Sequence, residues 1–228
     1  MCVLAMHQPN FLPWIGFFHK LVQADVFVLM DTAQVPRGRS YAHRVRIKRR
    51  EGGQRWLSLP CHRPNMCTYS EATVTDDAAG AMRGVIEHNY RDAVHFDDYA
   101  NTLYLLLHAV DSQSLALANE ALIRWARVVL GITTEVVRQS DMGVEAPKER
   151  LPVELCRALG ADVYLSGTGA RTYNDQEIFD AAGVGLRYTA FECPEYTQVG
   201  DSAFAPNLSV IDLIFNCGPR AGGILGGV

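Results

Sequence analysis

Residues 3–31 read VLAMHQPNFLPWIGFFHKLVQADVFVLMD, and this stretch decides the fold. Its two apolar runs, Val3–Met6 and Val26–Met30, are short and uninterrupted, which is typical of strands buried on both faces. Between them, Trp14–Ala24 carries apolar residues at helical spacing, and Pro13 fits at or near its first turn. The sequence therefore predicts a strand–helix–strand unit with parallel strands and a right-handed crossover.

The same alternation returns in the last third of the chain. A β-branched run predicts a strand over 133–139, and short apolar runs predict two more at Asp162–Leu165 and Leu186–Phe191. The helices expected here are Pro152–Leu159, closed by Gly160; Asn174–Ala182, capped by Asn174 and closed by Gly183; and a short amphipathic helix over Leu208–Phe215. We therefore expect one α/β domain over residues 1–228, built on a mainly parallel sheet of βαβ units.

Two insertions and a tail complete this prediction. Basic residues and a Gly52-Gly53 turn predict an inserted β-hairpin within about 37–60. Residues 78–130 show helical periodicity throughout, which predicts a central helical segment. The glycine-rich stretch over about 219–228 is expected to be a flexible, frayed tail.

Composition excludes several classes of protein. Apolar residues make up 48% of the 228 and charged residues 20%, so the chain can form a core and is not disordered. No apolar run approaches the roughly 20 residues that a membrane-spanning helix needs. The first six residues have no basic flank and do not resemble a secretory signal. Six scattered cysteines without a CxxC pair indicate reduced thiols, and a cytoplasmic location is expected.

Charge is distributed unevenly. The formal net charge is −4, yet Arg37–Arg50 holds seven of the 21 basic residues and no acid, leaving 14 bases against 25 acids elsewhere. A basic strip on an acidic body suits an anionic ligand. The alternative is a solvated edge strand that uses its charges against sheet pairing. Alternation of Arg44, Arg46 and Lys48 with apolar residues predicts basic side chains on one strand face, without deciding what that face contacts.

Two polar loops follow predicted strands, where parallel α/β sheets bind ligands. In the first, a loop that feeds a helix suits a phosphate, and His7 suits general acid–base chemistry near pH 7. A histidine that caps backbone groups, and a core role for Trp14, are the alternatives. In the second, residues 166–171 combine glycines, hydroxyls and an arginine that can surround a phosphate. Asp31 also ends a strand and could orient an amine, but one carboxylate does not argue for a metal site.

Common catalytic signatures are absent from the sequence. It has no Walker loop, GxSxG elbow, zinc cluster or GxGxxG fingerprint. Cys61 and Cys67 are taken as buried thiols rather than nucleophiles, because no histidine pairing can be inferred.

Several motifs resemble the WbqC-like protein family. HQPNFLPWIGFFHK at 7–20 resembles its opening motif, and 31–34, His43-Arg44, Ile47-Lys48 and Trp56-Leu57 resemble a second block. The carboxy-terminal half is similar over YLSGTGARTY (164–173), PEYTQ (194–198), FAPNLS (204–209) and DLIFNCG (212–218). His43 departs from the family pattern, which has asparagine there.

The resemblance implies a role in surface-polysaccharide or natural-product biosynthesis, where some pathways make sugars with an N-linked glycyl group. A weaker likeness links both loops to the HxGH and ISSTxxR motifs of nucleotidyltransferase-like (HUP) enzymes. That group includes ligases that adenylate a carboxylate and pass it to an amine. The chain lacks the paired histidines of HxGH, although His7 and His19 bracket the loop.

Together these features predict a transferase or ligase that moves a small acyl or aminoacyl group from a phosphate-bearing donor to an amine of a sugar or metabolite. Its substrate is expected to be a small anionic or nucleotide-bearing molecule. The sequence does not decide the cofactor, which could be ATP with Mg²⁺. It also leaves open whether a carrier protein or an aminoacyl-tRNA is the donor, and whether the chain forms a homodimer. A glycosyltransferase, despite the lack of a DxD-like pair, and a non-catalytic binding protein are the alternatives. The predicted site residues are His7, Asp31 and Arg171 for catalysis, and Gln8, Asn10, Trp14, Lys20, Gln34, Arg44, Lys48, Ser166, Gly167, Gly169, Tyr173, Tyr196 and Gln198 for binding.

Overall fold

A computed structural model describes residues 1–38, 40–172, 174–200 and 202–226 of the chain. Two residues that the sequence singled out, Arg39 of the basic strip and Tyr173 of the second loop, lie outside the described residues. The elements in chain order are β1 (Val3–His7), α1 (Ile15–Val22), β2 (Val26–Leu29), β3 (Arg44–Lys48), β4 (Gln54–Ser58), β5 (Cys61–His62), β6 (Thr73–Val74), α2 (Ala78–Tyr90), α3 (Phe96–Ala109), α4 (Leu115–Val129), β7 (Glu135–Arg138), α5 (Leu151–Leu159), β8 (Val163–Ser166), α6 (Gln176–Ala182), β9 (Gly185–Tyr188), α7 (Val210–Cys217) and α8 (Ala221–Ile224).

A five-stranded parallel sheet organises the fold, in the order β7-β2-β1-β8-β9. Ala5 of β1 is aligned with Phe27 on one side and with Leu165 on the other. In chain order this is a 3-2-1-4-5 arrangement, in which the direction of winding reverses between β1 and β8. The prediction of a mainly parallel α/β sheet is confirmed.

Helices cover both faces of this sheet, because alternate strand residues are apolar on each side. On one face Ala5 and Phe27 join the larger core, which α1, α3, α4 and α7 complete. On the other face Leu4 and Val28 pack with residues of α5 and α6. The structure is therefore doubly wound, and β1 is central to both cores.

The predicted hairpin forms from β3 and β4, with Val45 opposite Leu57 and both side chains buried. Gly52 and Gly53 have positive φ angles of 104° and 76°, a conformation that L side chains rarely adopt. The expectation of a uniform basic face fails at Lys48. Its side chain is fully buried, and its Nζ donates to the Gln198 side chain and to the Ala203 carbonyl oxygen.

The predicted central helical segment is confirmed and consists of three helices, α2, α3 and α4. Other local predictions need correction. Helix α7 is buried along its whole length rather than amphipathic. Helix α6 is capped by Asp175, whose side chain accepts from the Glu177 amide, and not by Asn174. The prediction of a frayed tail is wrong for α8, since Ala221 and Leu225 are buried against the main core.

None of the helices in the described ranges is long and apolar enough to cross a bilayer.

Candidate functional site

A cavity of about 900 Å³ lies where the winding of the sheet reverses. A crevice forms at this point because the connection that follows one of the two adjacent strands runs to one face of the sheet, and the connection that follows the other strand runs to the opposite face. The lining comes from the strand ends and the segments beyond them: Met6, His7, Gln8, Trp14, Gly16, Phe17, Lys20, Met30, Lys148, Glu149, Pro152, Tyr164, Ser166, Gly167, Thr168, Gly169, Ala170, Asn174, Thr189, Ala190, Phe191 and Glu192.

The pairing of β1 with β8 brings the two polar loops together. Leu4 is aligned with Tyr164 and Ala5 with Leu165, so both strands end at the same edge of the sheet. His7 and Gly167, which lie about 160 positions apart in the sequence, consequently line the same cavity. The predicted convergence of the two loops is present in the structure.

Lys20 is the buried cation of this cavity. It extends from α1, is 6% exposed, and its Nζ donates to the Met6 carbonyl oxygen over 2.8 Å. Among the described residues it forms no ion pair with a carboxylate. Burial lowers the pKa of Lys20 to about 8, because a desolvated ammonium is costly. At neutral pH Lys20 is therefore mostly charged and has no carboxylate within ion-pair distance among the described residues, although Glu149 and Glu192 also line the cavity.

His7 lies next to Lys20 and is half-buried. Its ring packs edge-on against Phe17, with centroids 5.1 Å apart, and its Nδ1 lies 2.9 Å from the Gln8 carbonyl oxygen. Burial, assisted by the Lys20 charge, lowers the pKa of His7 to about 4, so the ring is neutral at pH 7. A neutral ring donates to a carbonyl through a protonated Nδ1, which leaves Nε2 as an acceptor. Nε2 is therefore available to accept a hydrogen bond or a proton, while the lowered pKa makes the ring a weak base until a bound anion offsets the Lys20 charge.

The loop after β8 forms the opposite side of the cavity. Ser166 is fully buried, and its Oγ accepts from Asn174 Nδ2 over 2.9 Å. A Cβ placed on Gly167 or Gly169 would meet nothing within 4 Å, and neither glycine has a positive φ. Neither packing nor backbone conformation requires glycine at these two positions. Both glycines leave the backbone open on the cavity side, where a ligand can approach it closely.

The amino terminus of α1 differs from the expectation. We expected its free N–H groups to bind phosphate, but the Ile15 amide donates to the Leu208 carbonyl over 3.3 Å. The Trp14 indole lies across the first turn, and a Cβ on Gly16 would come within 2.2 Å of that ring. The end of the helix is therefore covered, and the positions open to an anion are Lys20 and the loop after β8.

Several predicted residues line the cavity and others do not. Gln8 and Trp14 belong to the lining, whereas Arg171 lies just beyond it, with its guanidinium 4.9 Å from the centre of the Tyr188 ring. Asp31 accepts hydrogen bonds from the Ser140 amide and hydroxyl, at 3.1 and 2.6 Å, in a turn after β7. Asn10 and Gln34 also lie elsewhere: the Asn10 side chain accepts a bond from Tyr69, and Gln34 bridges to Thr68.

Three further predicted binding residues belong to a buried network instead. The Asp212 carboxylate accepts hydrogen bonds of 2.8 Å each from Tyr90, Tyr196 and Gln198. Lys48 Nζ donates to Gln198 Oε1 at 3.2 Å and to the Ala203 carbonyl at 2.6 Å. Burial raises the pKa of Asp212 to about 6 despite these bonds. The network joins the hairpin, α2, α7 and the segment after β9, and none of its side chains belongs to the lining of the cavity.

Arg44, the last predicted binding residue, lies with its guanidinium 4.5 Å from the centre of the Trp56 ring. It does not belong to the lining of the cavity. The hairpin as placed here therefore does not close over the cavity.

Sequence reasoning missed two parts of the lining. Lys148 and Glu149 precede α5, and Thr189–Glu192 follow β9. Both segments come after the carboxyl end of a sheet strand, so the rule applied to the first two loops would have found them. Among the described residues no group of three His, Cys, Asp or Glu side chains is placed to hold a metal ion.

These features define a doubly wound α/β protein with a cavity at its topological switch point. The model of the WbqC-like protein family matches residues 8–224, and the chain belongs to this family. It is 30% identical, over 96% of its length and 95% of the relative's, to a Mycobacterium tuberculosis protein described as "Uncharacterized protein Rv1507c". No solved structure gives a significant match. The resemblance to WbqC-like proteins is confirmed, while the likeness to nucleotidyltransferases stays a prediction.

Proposed function

We propose that this protein is a transferase or ligase that moves a small acyl or aminoacyl group from a phosphate-bearing donor to an amine of a sugar or metabolite. The observation that carries the proposal is the buried Lys20 ammonium, which faces the cavity without a carboxylate partner. A buried charge that lacks a counter-charge is costly, and an anionic ligand would supply the missing one.

The opposite wall complements this charge. Gly167 and Gly169 leave backbone open where a phosphate needs N–H donors, and Thr168 between them adds a hydroxyl. Charge-assisted hydrogen bonds from Lys20 and from this loop would hold a phosphate at the carboxyl ends of β1 and β8.

The chemistry proposed for this site is amide formation from an acyl phosphate. The carboxylate of the acid first attacks the γ-phosphorus of ATP, the bond from that phosphorus to the bridging oxygen breaks, and ADP departs. The neutral amine attacks the acyl carbon, the C–N bond forms, and the C–O bond to phosphate breaks with its electron pair on the phosphate. One amine proton passes to His7 Nε2, which the neutral tautomer leaves as an acceptor. Lys20 and the loop after β8 stabilise the negative charge on the departing phosphate, where preorganised donors are most effective.

The proposal is tested with hydroxylamine as the amine, because it accepts activated acyl groups without knowledge of the natural acceptor. The protein is incubated with ATP, Mg²⁺ and a panel of small carboxylic and amino acids, and hydroxamate is measured. We expect hydroxamate from the wild type and at least about a 10-fold loss in Lys20→Met. Arg55→Met, which removes an exposed cation from β4, is the matched control and should leave the rate unchanged.

Two results would overturn the proposal. One is a failure of ATP, nucleotide sugars and inorganic tripolyphosphate to bind at millimolar concentration. The other is release of a nucleoside diphosphate from a nucleotide sugar without hydroxamate formation, which would identify a glycosyltransferase.

A further inference from the structure

The cavity is larger and more apolar than a phosphate requires. Its volume of about 900 Å³ is in the range that holds a ligand of drug size, whereas the buried cation occupies one position in the lining. Seven of the other 21 lining residues are aromatic, methionine or proline: Met6, Trp14, Phe17, Met30, Pro152, Tyr164 and Phe191. These side chains offer a bound molecule a substantial apolar surface beside the position of its anionic group.

The apolar lining consists of two walls, which belong to opposite faces of the sheet. Trp14 and Phe191 pack with the larger core on the α1 side. Met6 and Met30 pack with the smaller core on the α5 side. The ligand would thus lie between a wall of aromatic rings and a wall of flexible thioether chains.

The aromatic wall is fixed in place by its own contacts. The Trp14 indole lies against the bare Cα of Gly16, and its ring meets Phe191 edge-on, with centroids 5.3 Å apart at 80°. Phe191 also packs against His19 at 5.0 Å, and His19 Nδ1 lies 2.9 Å from the Leu225 carbonyl oxygen. Rigid rings of this kind contact a flat ligand without losing much conformational entropy.

We infer that the cavity binds a nucleotide, with the phosphates at Lys20 and the 166–170 loop and the base against the Trp14–Phe191 wall. This inference rests on the proposed function for the phosphate position and adds the identity of the group that bears the phosphate. A preformed aromatic wall favours a planar base over a flexible acyl chain, because every base presents a π face for stacking.

Titration calorimetry with ATP, inorganic tripolyphosphate and an aliphatic phosphate ester of similar size separates the contributions of base and phosphate. We expect ATP to bind roughly 10-fold or more tightly than tripolyphosphate, the size of one base–aromatic stacking contact. Trp14→Leu and Phe191→Leu should each remove most of that difference and leave tripolyphosphate affinity unchanged. Lys20→Met should weaken both ligands.

Trp14→Phe is the second variant at the wall, because it keeps a ring there and should preserve most of the ATP preference. Trp125→Leu, on the far helix α4, is the matched control for loss of an indole. Equal affinity for ATP and tripolyphosphate, or tighter binding of the aliphatic ester, would overturn the nucleotide inference. In either case Lys20-dependent tripolyphosphate binding would still stand, so failure here is distinguishable from failure of the proposed function.

Discussion

Replacement of Lys20 by methionine should stabilise the fold while removing the anion site. The pKa of Lys20 falls from 10.5 to about 8 on folding, so the folded state binds this proton less tightly than the unfolded state. At about 1.4 kcal/mol for each pKa unit, the charged side chain destabilises the fold by roughly 3 kcal/mol at pH 7. Lys20→Met also removes the hydrogen bond to the Met6 carbonyl, which costs about 1 kcal/mol of stability. The net increase in the free energy of unfolding is therefore about 2 kcal/mol.

The sign of the pH dependence follows from the lowered pKa. The cost of the charge is complete below pH 8 and is relieved as the pH rises from 8 towards 10.5, so the advantage of Lys20→Met should shrink over that interval. For a chain of this size 2 kcal/mol corresponds to a rise in Tm of roughly 4–8 °C.

Urea and thermal unfolding of the wild type, Lys20→Met and the surface control Arg55→Met at pH 7 and pH 9.5 measure these differences. Addition of tripolyphosphate at pH 7 should then raise the Tm of the wild type and of Arg55→Met but not that of Lys20→Met. A Lys20→Met variant less stable than the wild type at pH 7 would refute the reasoning, since it would mean that the ammonium is compensated within the fold.

Three further predictions concern other parts of the molecule. The pKa of Asp212 is raised from 3.8 to about 6, so the stability that its protonated form contributes is lost as the pH rises through 6. Relative to Asp212→Asn, the wild type should lose roughly 2–3 kcal/mol of unfolding free energy between pH 4 and pH 7 in urea titrations, and a difference that stays constant with pH would contradict this. Gly169→Ala should change the Tm by no more than a few degrees, because the added Cβ meets no atom within 4 Å, but it should weaken tripolyphosphate binding by about 10-fold. The control Gly84→Ala in α2 should leave binding unchanged, and equal affinities of the two variants would show that the loop does not bind the phosphate. His7→Gln should lower the rate of hydroxamate formation by about 100-fold and change ATP affinity less than about twofold. At a fixed concentration of neutral hydroxylamine the wild-type rate should be flat from pH 6 to 7, where His7 is neutral and Lys20 is charged, and an unchanged rate in the variant would exclude His7 as the base.

Local sequence was sufficient to predict the strands and helices, and to predict that polar loops follow the carboxyl ends of the strands. The alternation of short apolar runs with helical periodicity predicted the βαβ units, because period and run length reflect burial on two faces. The positions of His7, Ser166, Gly167 and Gly169 at the ends of predicted strands are enough to place them at one edge of the sheet. The same rule would have found Phe191 and Glu149 had it been applied to every strand.

The sequence by itself determined that this chain forms a parallel sheet with polar loops at its carboxyl edge. Only the tertiary structure decided which polar residues face the cavity. Asp31 and Lys48 carry the same chemical groups as residues that line the cavity, but Asp31 accepts a hydrogen bond from Ser140 and Lys48 donates to Gln198 and to the Ala203 carbonyl. The physical reason is that strand order and the burial of a charged side chain depend on contacts between residues more than 100 positions apart, and no local pattern records them.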